Sequence, residues 1–222
     1  MSNKSYKKVD ASRVSISQLM QPSHSNFGGK IHGGYILNLM DQIAFACASK
    51  HSETYCVTAS VDTVDFLNPI EIGELVTMKA SVNFVGNTSM VVGIRVESEN
   101  IQTGAVKHCN SSYFTMVAKD ENGDSKKVPG LILNDKNEVK RFLKAIKRME
   151  TKKQRQSEFD SEDFSHIDYL PLLEKYKVKI HTITAWFSSS ISFRRDVSSV
   201  FFASLRSVGN CISNFRIKFP RP

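Results

Sequence analysis

Three polar side chains interrupt an otherwise apolar stretch of the sequence, and their spacing places them on one side of a helix. The stretch runs from Tyr35 to Ala48, with Asn38, Asp41 and Gln42 at positions i, i+3 and i+4. A carboxylate there is costly to bury unless it has partners or a chemical task. If it is held away from bulk water, Asp41 can act as a general base that deprotonates a water attacking a carbonyl.

Two glycine pairs precede this stretch, in the segment SHSNFGGKIHGG at residues 23–34. Glycines allow backbone conformations that side chains forbid, and they let a ligand approach the main chain closely. The free amide groups of Gly33, Gly34 and Tyr35 would lie at the N-terminus of the helix, where the helix dipole favours negative charge. The sequence therefore predicts an oxyanion site beside the candidate base.

The residue pattern alone leaves two other interpretations of this stretch open. Asp41 and Asn38 could simply satisfy buried polar groups. Cys47 could be a nucleophile, but it lies more than three turns beyond the helix start, far from the helix N-terminus.

The spacing of the cysteines indicates that they are reduced thiols that serve as small hydrophobic side chains. Cys47, Cys56, Cys109 and Cys211 show no CxxC spacing. A zinc site built from Cys47, His51 and the pair His108-Cys109 lacks a known ligand spacing, and we expect no metal.

The sequence on either side of residues 35–48 predicts the secondary structure that surrounds this helix. A short strand is expected over residues 13–20, the helix over 34–50, and then four strands with alternating polarity from Tyr55 to Ala118. The clearest alternation covers residues 76–84, followed by a Gly86-Asn87 turn. Long antiparallel strands twist, so the predicted fold is α+β, a long antiparallel sheet wrapped around one central helix that is buried on nearly all sides.

The C-terminal part has a different character. Residues 131–155 predict a basic amphipathic helix that begins at a capping box formed by DKNE at 135–138. Residues 151–163 are highly charged and predict a linker, and 164–180 predict a short helix at most because Pro171 interrupts it. Residues 156–222 are assigned to this linker and a basic Ser/Phe/Arg-rich tail.

The charge distribution gives no sign that the main domain binds nucleic acid. Residues 1–130 carry 12 basic and 12 acidic side chains, so the net charge of +8 comes from the C-terminal part. There is no signal-peptide core and no apolar run long enough to cross a membrane. We therefore expect a cytoplasmic protein with neither nucleic acid nor membrane as a partner.

Several motifs in the same order resemble a known family. They are PSHSN at 22–26, GG at 33–34, MD at 40–41, VTASVDTVDFLNP at 57–69 and GNTSM at 86–90. Together they closely resemble the hot-dog-fold acyl-CoA thioesterases, the group of bacterial and cytosolic acyl-CoA hydrolases. The resemblance covers roughly residues 12–120 and assigns residues 1–130 to a hot-dog thioesterase domain.

The resemblance implies roles for four residues of a shared active site. Asp41 would activate water, or would act as a nucleophile that forms a mixed anhydride, and the sequence leaves both open. Asn26 would face Asp41 across a dimer interface and orient the water or the thioester. The Gly34 amide would polarise the carbonyl, and Gln42 would be an auxiliary polar group.

The resemblance also implies a substrate and an assembly. Asn87, Thr88 and Ser89 would contact the coenzyme A portion, although many relatives carry a basic residue where Asn87 stands. The expected reaction is hydrolysis of fatty acyl-CoA, with coenzyme A as part of the substrate and no separate cofactor. We expect a dimer formed through the edge strand, and three such dimers in the assembly. The alternative is a non-catalytic acyl-CoA sensor of the same fold.

Overall fold

The computed structural model describes residues 6–162, 173 and 175–179. The chain divides into two compact units, Met1–Glu162 and Asp163–Pro222. The fold described below belongs to the first unit. Cys211, the tail at 182–222 and most of the short helix predicted at 164–180 lie outside the described residues.

Seven strands and two long helices make up the described part of the first unit. In chain order they are β1 Tyr6–Lys8, β2 Val14–Leu19, α1 Gly33–Ser52, β3 Tyr55–Val61, β4 Leu75–Val85, β5 Ser89–Glu99, β6 Val106–Lys119, β7 Gly130–Ile132 and α2 Lys136–Ser161. Short 3-10 turns cover Val9–Ser12 and Pro22–His24. In the described part of the chain, neither helix is long and apolar enough to span a membrane.

Five of the strands form one antiparallel sheet in the order β2-β4-β5-β6-β3. The observed strand β3 is shorter than the alternating pattern after residue 55 predicted. It ends at Val61, and the chain from there to Ile70 is irregular. A bulge between Thr58 and Ser60 shifts the register of β3 against β6. The small parallel pair of β1 and β7 was not predicted, since three-residue strands carry too little pattern.

Helix α1 packs one face against the sheet, and this contact is the core of the unit. The buried residues alternate along the strands and recur every three or four positions along α1, as the periodicity predicted. They include Ile36, Met40, Ile43 and Cys47 of the helix, and Val82, Val92, Phe114 and Met116 of the sheet.

The prediction that α1 is buried on nearly all sides is wrong for the single chain. Asn38, Asp41, Gln42 and Phe45 are exposed on the face of α1 that points away from the sheet. One sheet can cover only one side of a helix, so the polar stripe stays open to solvent. Within one chain Asp41 is therefore exposed to bulk water, contrary to the expectation for a buried general base.

Helix α2 packs on β4 and extends further than the sequence indicated. The prediction of a linker over 151–161 is wrong, because the helix continues to Ser161. Gln154 donates to Glu158 (2.8 Å) and Gln156 to Asp160 (2.7 Å), and such i, i+4 pairs stabilise a charged helix.

The N-terminal cap of α2 supplies a stability prediction. The Asp135 side chain accepts hydrogen bonds from the backbone N–H groups of Asn137 (2.6 Å) and Glu138 (2.8 Å). Asp135→Ala removes both acceptors and should lower the free energy of unfolding by about 1 kcal/mol. Urea unfolding at fixed protein concentration measures this, with Lys136→Ala as the neighbouring exposed control. Equal losses in both variants would contradict a role for the cap.

Candidate active site

The Asp41 carboxylate is held by a residue that the sequence analysis did not identify. Thr58 Oγ1 donates a hydrogen bond to Asp41 Oδ1 at 2.6 Å. Glu53 has a left-handed backbone (φ 56°) and ends α1, so β3 returns beside the helix. The register bulge of β3 begins at Thr58. This arrangement fixes the orientation of a solvent-accessible carboxylate on the open face of α1.

Asn26 lies in the loop before α1 and shapes that loop with its own carbonyl. Its Oδ1 accepts hydrogen bonds from the backbone N–H groups of Gly28 (2.9 Å) and Lys30 (3.2 Å). Ile31 N donates to Ile70 O (2.9 Å), which ties the loop to the segment between β3 and β4. Within residues 6–162 the Asn26 side-chain NH₂ has no hydrogen-bond partner, and no hydrogen bond joins Asn26 to Asp41.

The N-terminus of α1 differs in detail from the predicted oxyanion site. The Gly34 N–H donates to Nδ1 of His32 at 2.9 Å, so the His32 side chain caps the helix. The Gly33 N–H has no partner among residues 6–162. A Cβ at Gly33 would lie 3.2 Å from Cζ of the Phe66 ring, so a side chain there would require that ring to shift by a few tenths of an ångström.

The other predicted site residues lie in two places. Gln42 is exposed next to Asp41 on the open face of α1. The turn with Asn87, Thr88 and Ser89 lies at one end of the sheet, between β4 and β5. Backbone hydrogen bonds hold this turn, from Gly86 N to Ser89 O (2.7 Å) and from Ala118 N to Thr88 O (2.9 Å).

The cysteines do not compete with Asp41 as reactive groups. Cys47, Cys56 and Cys109 are free and buried, as predicted for small hydrophobic side chains. Burial raises the pKa of the Cys47 thiol to about 12, which disfavours the thiolate needed for nucleophilic attack. Among the described residues no cluster of His, Cys, Asp and Glu has a metal-binding arrangement.

Comparison with known proteins identifies the family. The thioesterase superfamily profile matches residues 28–105. The chain is 44% identical to protein VdlD of Helicobacter pylori over 142 residues, which are 64% of this chain and 81% of VdlD. It is 33% identical to the uncharacterised acyl-CoA thioester hydrolase YkhA of Bacillus subtilis over 144 residues, 65% of this chain and 84% of YkhA. The chain belongs to the acyl-CoA thioesterases.

Further acyl-CoA thioesterases support the assignment. The human cytosolic acyl coenzyme A thioester hydrolase is 34% identical over 136 residues, 60% of this chain and 36% of the human protein. A hexameric acyl-CoA thioesterase structure matches with TM-score 0.67 and 36% identity over 68% of this chain and 97% of that chain. The Staphylococcus aureus acyl-CoA hydrolase structure matches with TM-score 0.65 and 31% identity over 75% and 99%. The hot-dog fold and the thioesterase activity predicted from the motifs are confirmed.

Proposed function

We propose that the protein hydrolyses fatty acyl-CoA thioesters to the free acid and coenzyme A, with water activated by Asp41. The observation that supports this most directly is the Thr58–Asp41 hydrogen bond on the open face of α1. A carboxylate fixed by one donor keeps other lone pairs free to accept a proton from water. A mixed anhydride formed by direct attack of Asp41 is the less favoured route.

Asn26 of a second copy completes the site in this proposal. In the single chain Asp41 is exposed and the outer edge of β3 has no partner strand among the described residues. A second copy that pairs along β3 would cover the open face of α1 and remove water from it. A drier site strengthens every hydrogen bond within it.

The spacing of the three site residues supports these roles. Structures of the S. aureus acyl-CoA hydrolase include variants with an asparagine, an aspartate or a threonine replaced by alanine. In that protein the asparagine and aspartate are 15 residues apart, and the aspartate and threonine are 17 apart. Asn26, Asp41 and Thr58 have the same two spacings.

The helix N-terminus would polarise the thioester carbonyl. The Gly34 N–H can do so once the His32 ring turns aside, because His32 Nδ1 occupies that donor in this structure. Gln42 is the auxiliary polar group beside Asp41. The turn at Asn87, Thr88 and Ser89 contacts the coenzyme A portion.

Self-association and substrate type are supported by the relatives. One matching thioesterase is hexameric, and the S. aureus enzyme was solved with butyryl coenzyme A and coenzyme A. We propose a trimer of dimers built on the β3 edge, acting on acyl-CoA without a separate cofactor. The human relative is named cytosolic, which supports a cytoplasmic location.

The proposed function is tested by thiol release from a panel of acyl-CoAs of increasing chain length. We expect release of coenzyme A from fatty acyl-CoAs well above the uncatalysed rate. Binding of acyl-CoA without any thiol release would instead identify an acyl-CoA sensor. Release only from the shortest thioesters would overturn the fatty-acyl assignment and leave the thioesterase assignment intact.

Thr58→Val should lower kcat about tenfold, because a hydrogen bond to a charged group contributes about 1.5 kcal/mol or more. Valine keeps the shape of threonine and removes only the hydroxyl that orients Asp41. Steady-state thiol release measures the loss. Thr58→Ser keeps a hydroxyl and should retain most of the activity, so equal losses in the two variants would argue against the orienting role.

A further inference from the structure

A buried carboxylate that the proposed mechanism does not use lies directly before β4. Glu74 is 6% exposed, and both of its carboxylate oxygens accept hydrogen bonds. Ser98 Oγ donates to Oε2 at 2.6 Å, the Glu71 N–H donates to Oε2 at 3.0 Å, and Lys107 Nζ donates to Oε1 at 2.8 Å. Burial by itself would raise the pKa of Glu74, but these donors outweigh it and lower the pKa below its usual value. Glu74 is therefore a charged group held in one position.

Glu74 also fixes the tight turn that leads into β4. The Glu74 N–H donates back to Glu71 O at 3.3 Å, and Gly73 between them has a left-handed backbone (φ 87°). Met20, which follows β2, joins the turn through two backbone hydrogen bonds, from Met20 N to Glu74 O (2.9 Å) and from Gly73 N to Met20 O (2.8 Å). The position of Glu71 is set by these contacts.

The same turn holds the loop that carries Asn26. The Glu71 carboxylate pairs with Lys30 Nζ through both oxygens, at 2.5 and 2.6 Å. The backbones of Lys30 and Glu71 form an antiparallel bridge, and Ile31 N donates to Ile70 O at 2.9 Å. An ion pair and a backbone bridge therefore fasten the loop to the turn.

Lys30 is in turn bonded to Asn26. The Asn26 N–H donates to Lys30 O at 2.7 Å, and the Lys30 N–H donates to Asn26 Oδ1 at 3.2 Å. The Gly28 N–H donates to the same Oδ1 at 2.9 Å. Because a side-chain amide is planar, fixing Oδ1 also fixes the direction of the NH₂ group, which is the donor that Asn26 can offer to the reaction.

We propose that Lys30 and Glu71, anchored by Glu74, are positioning residues that aim the Asn26 amide at the reacting groups. The proposal rests on the proposed function. The Lys30 and Glu71 side chains are 49% and 39% exposed, and ion pairs this exposed add little to stability. Their contribution is to geometry, because a group that is displaced by about an ångström from the reacting atoms loses much of its effect on the rate.

The first test measures steady-state thiol release from acyl-CoA by Lys30→Met, which keeps the apolar stem and removes the ammonium. We expect kcat to fall about fivefold, the size of effect that the loss of one exposed ion pair allows. KM should stay unchanged, because Lys30 acts on Asn26 and not on the substrate.

Two variants serve as controls for this measurement. Lys30→Arg keeps a charge that can pair with both oxygens of Glu71 and should retain most of the activity. Lys79→Met removes a comparable ion pair, Lys79–Glu97 at 2.8 Å, and should leave kcat and KM unchanged.

A pairing experiment separates positioning of Asn26 from a general structural defect. One chain carries Asn26→Ala and the other carries Asp41→Ala, so a complete site combines Asp41 of the first chain with Asn26 of the second. Adding Lys30→Met to the second chain should lower thiol release by the co-expressed pair about fivefold. Adding it to the first chain should change nothing, whereas a structural defect would lower both pairings equally.

Equal kcat in Lys30→Met and wild type, a rise in KM at constant kcat, or equal losses in the two pairings would overturn the proposal. If Asn26 and Asp41 act within one chain, the pairing gives no activity, and the Asn26→Ala/Lys30→Met double variant decides at high enzyme concentration. A residual rate equal to that of Asn26→Ala supports the positioning role, and a further fivefold loss overturns it. Failure of the proposed function looks different, since the wild type would then release no thiol, and this proposal would fall with it.

Discussion

Asp41→Ala is expected to lower kcat for acyl-CoA hydrolysis by on the order of 10²-fold or more, the usual contribution of a positioned general base. The substitution removes the one carboxylate on the open face of α1 and leaves the Thr58 hydroxyl without its acceptor. KM should change far less, because Asp41 acts on the attacking water rather than on the nucleotide. Thiol release under saturating and limiting substrate separates the two constants.

Asp41→Asn also tests Asp41 as the general base, and it preserves the shape of the side chain. The amide can still accept a hydrogen bond from Thr58 but cannot take a proton from water, so the loss should match that of alanine. Asn38→Ala changes another exposed polar residue of the same helix face and should retain activity. Wild-type rates in both Asp41 variants would remove Asp41 from the mechanism.

The sequence predicted the central fold well because its signals are local and periodic. The alternation over residues 76–84 and the apolar helix before residue 50 each specify a face, and pairing those faces leaves few arrangements. The end of α2 was predicted poorly because residues 151–161 have no apolar face. Their helicity depends on side-chain pairs such as Gln154–Glu158, which a charge-rich segment does not reveal by its periodicity.

The site was predicted only in part, for a related reason. Asp41 was identified because it interrupts an apolar helix. Thr58 was missed because its position beside Asp41 depends on the register of β3 and on the chain reversal at Glu53. The bond between Gly34 N–H and His32 was missed as well, since histidine is not among the usual helix-capping residues.

The exposure of Asp41 in one chain is the strongest argument that the site is shared. A general base for thioester hydrolysis needs a neighbour that orients water and a surface that excludes bulk solvent. The single chain offers neither above the open face of α1, where Asn38, Gln42 and Phe45 are also exposed. The free NH₂ of Asn26 is the complementary observation, because it is a donor with no intrachain acceptor in the described residues.

A shared site predicts that two inactive variants restore each other. Asn26→Ala and Asp41→Ala should each be nearly inactive alone, while co-expression should return about a quarter of wild-type activity. Random pairing of the two chains in a two-fold dimer makes half of the dimers mixed, and each mixed dimer holds one intact and one doubly defective site. Two distinct affinity tags allow the mixed oligomer to be isolated and its thiol release measured.

The matched control pairs Asn26→Ala with the double variant Asn26→Ala/Asp41→Ala, a combination in which no dimer contains an intact site. It should stay inactive, which separates restoration of the site from mere stabilisation by a partner chain. If the verified mixed oligomer of the two single variants also stays inactive, Asn26 and Asp41 act within one chain. That result would require the loop at Asn26 to move toward α1, because the loop and Asp41 share no hydrogen bond in the described chain.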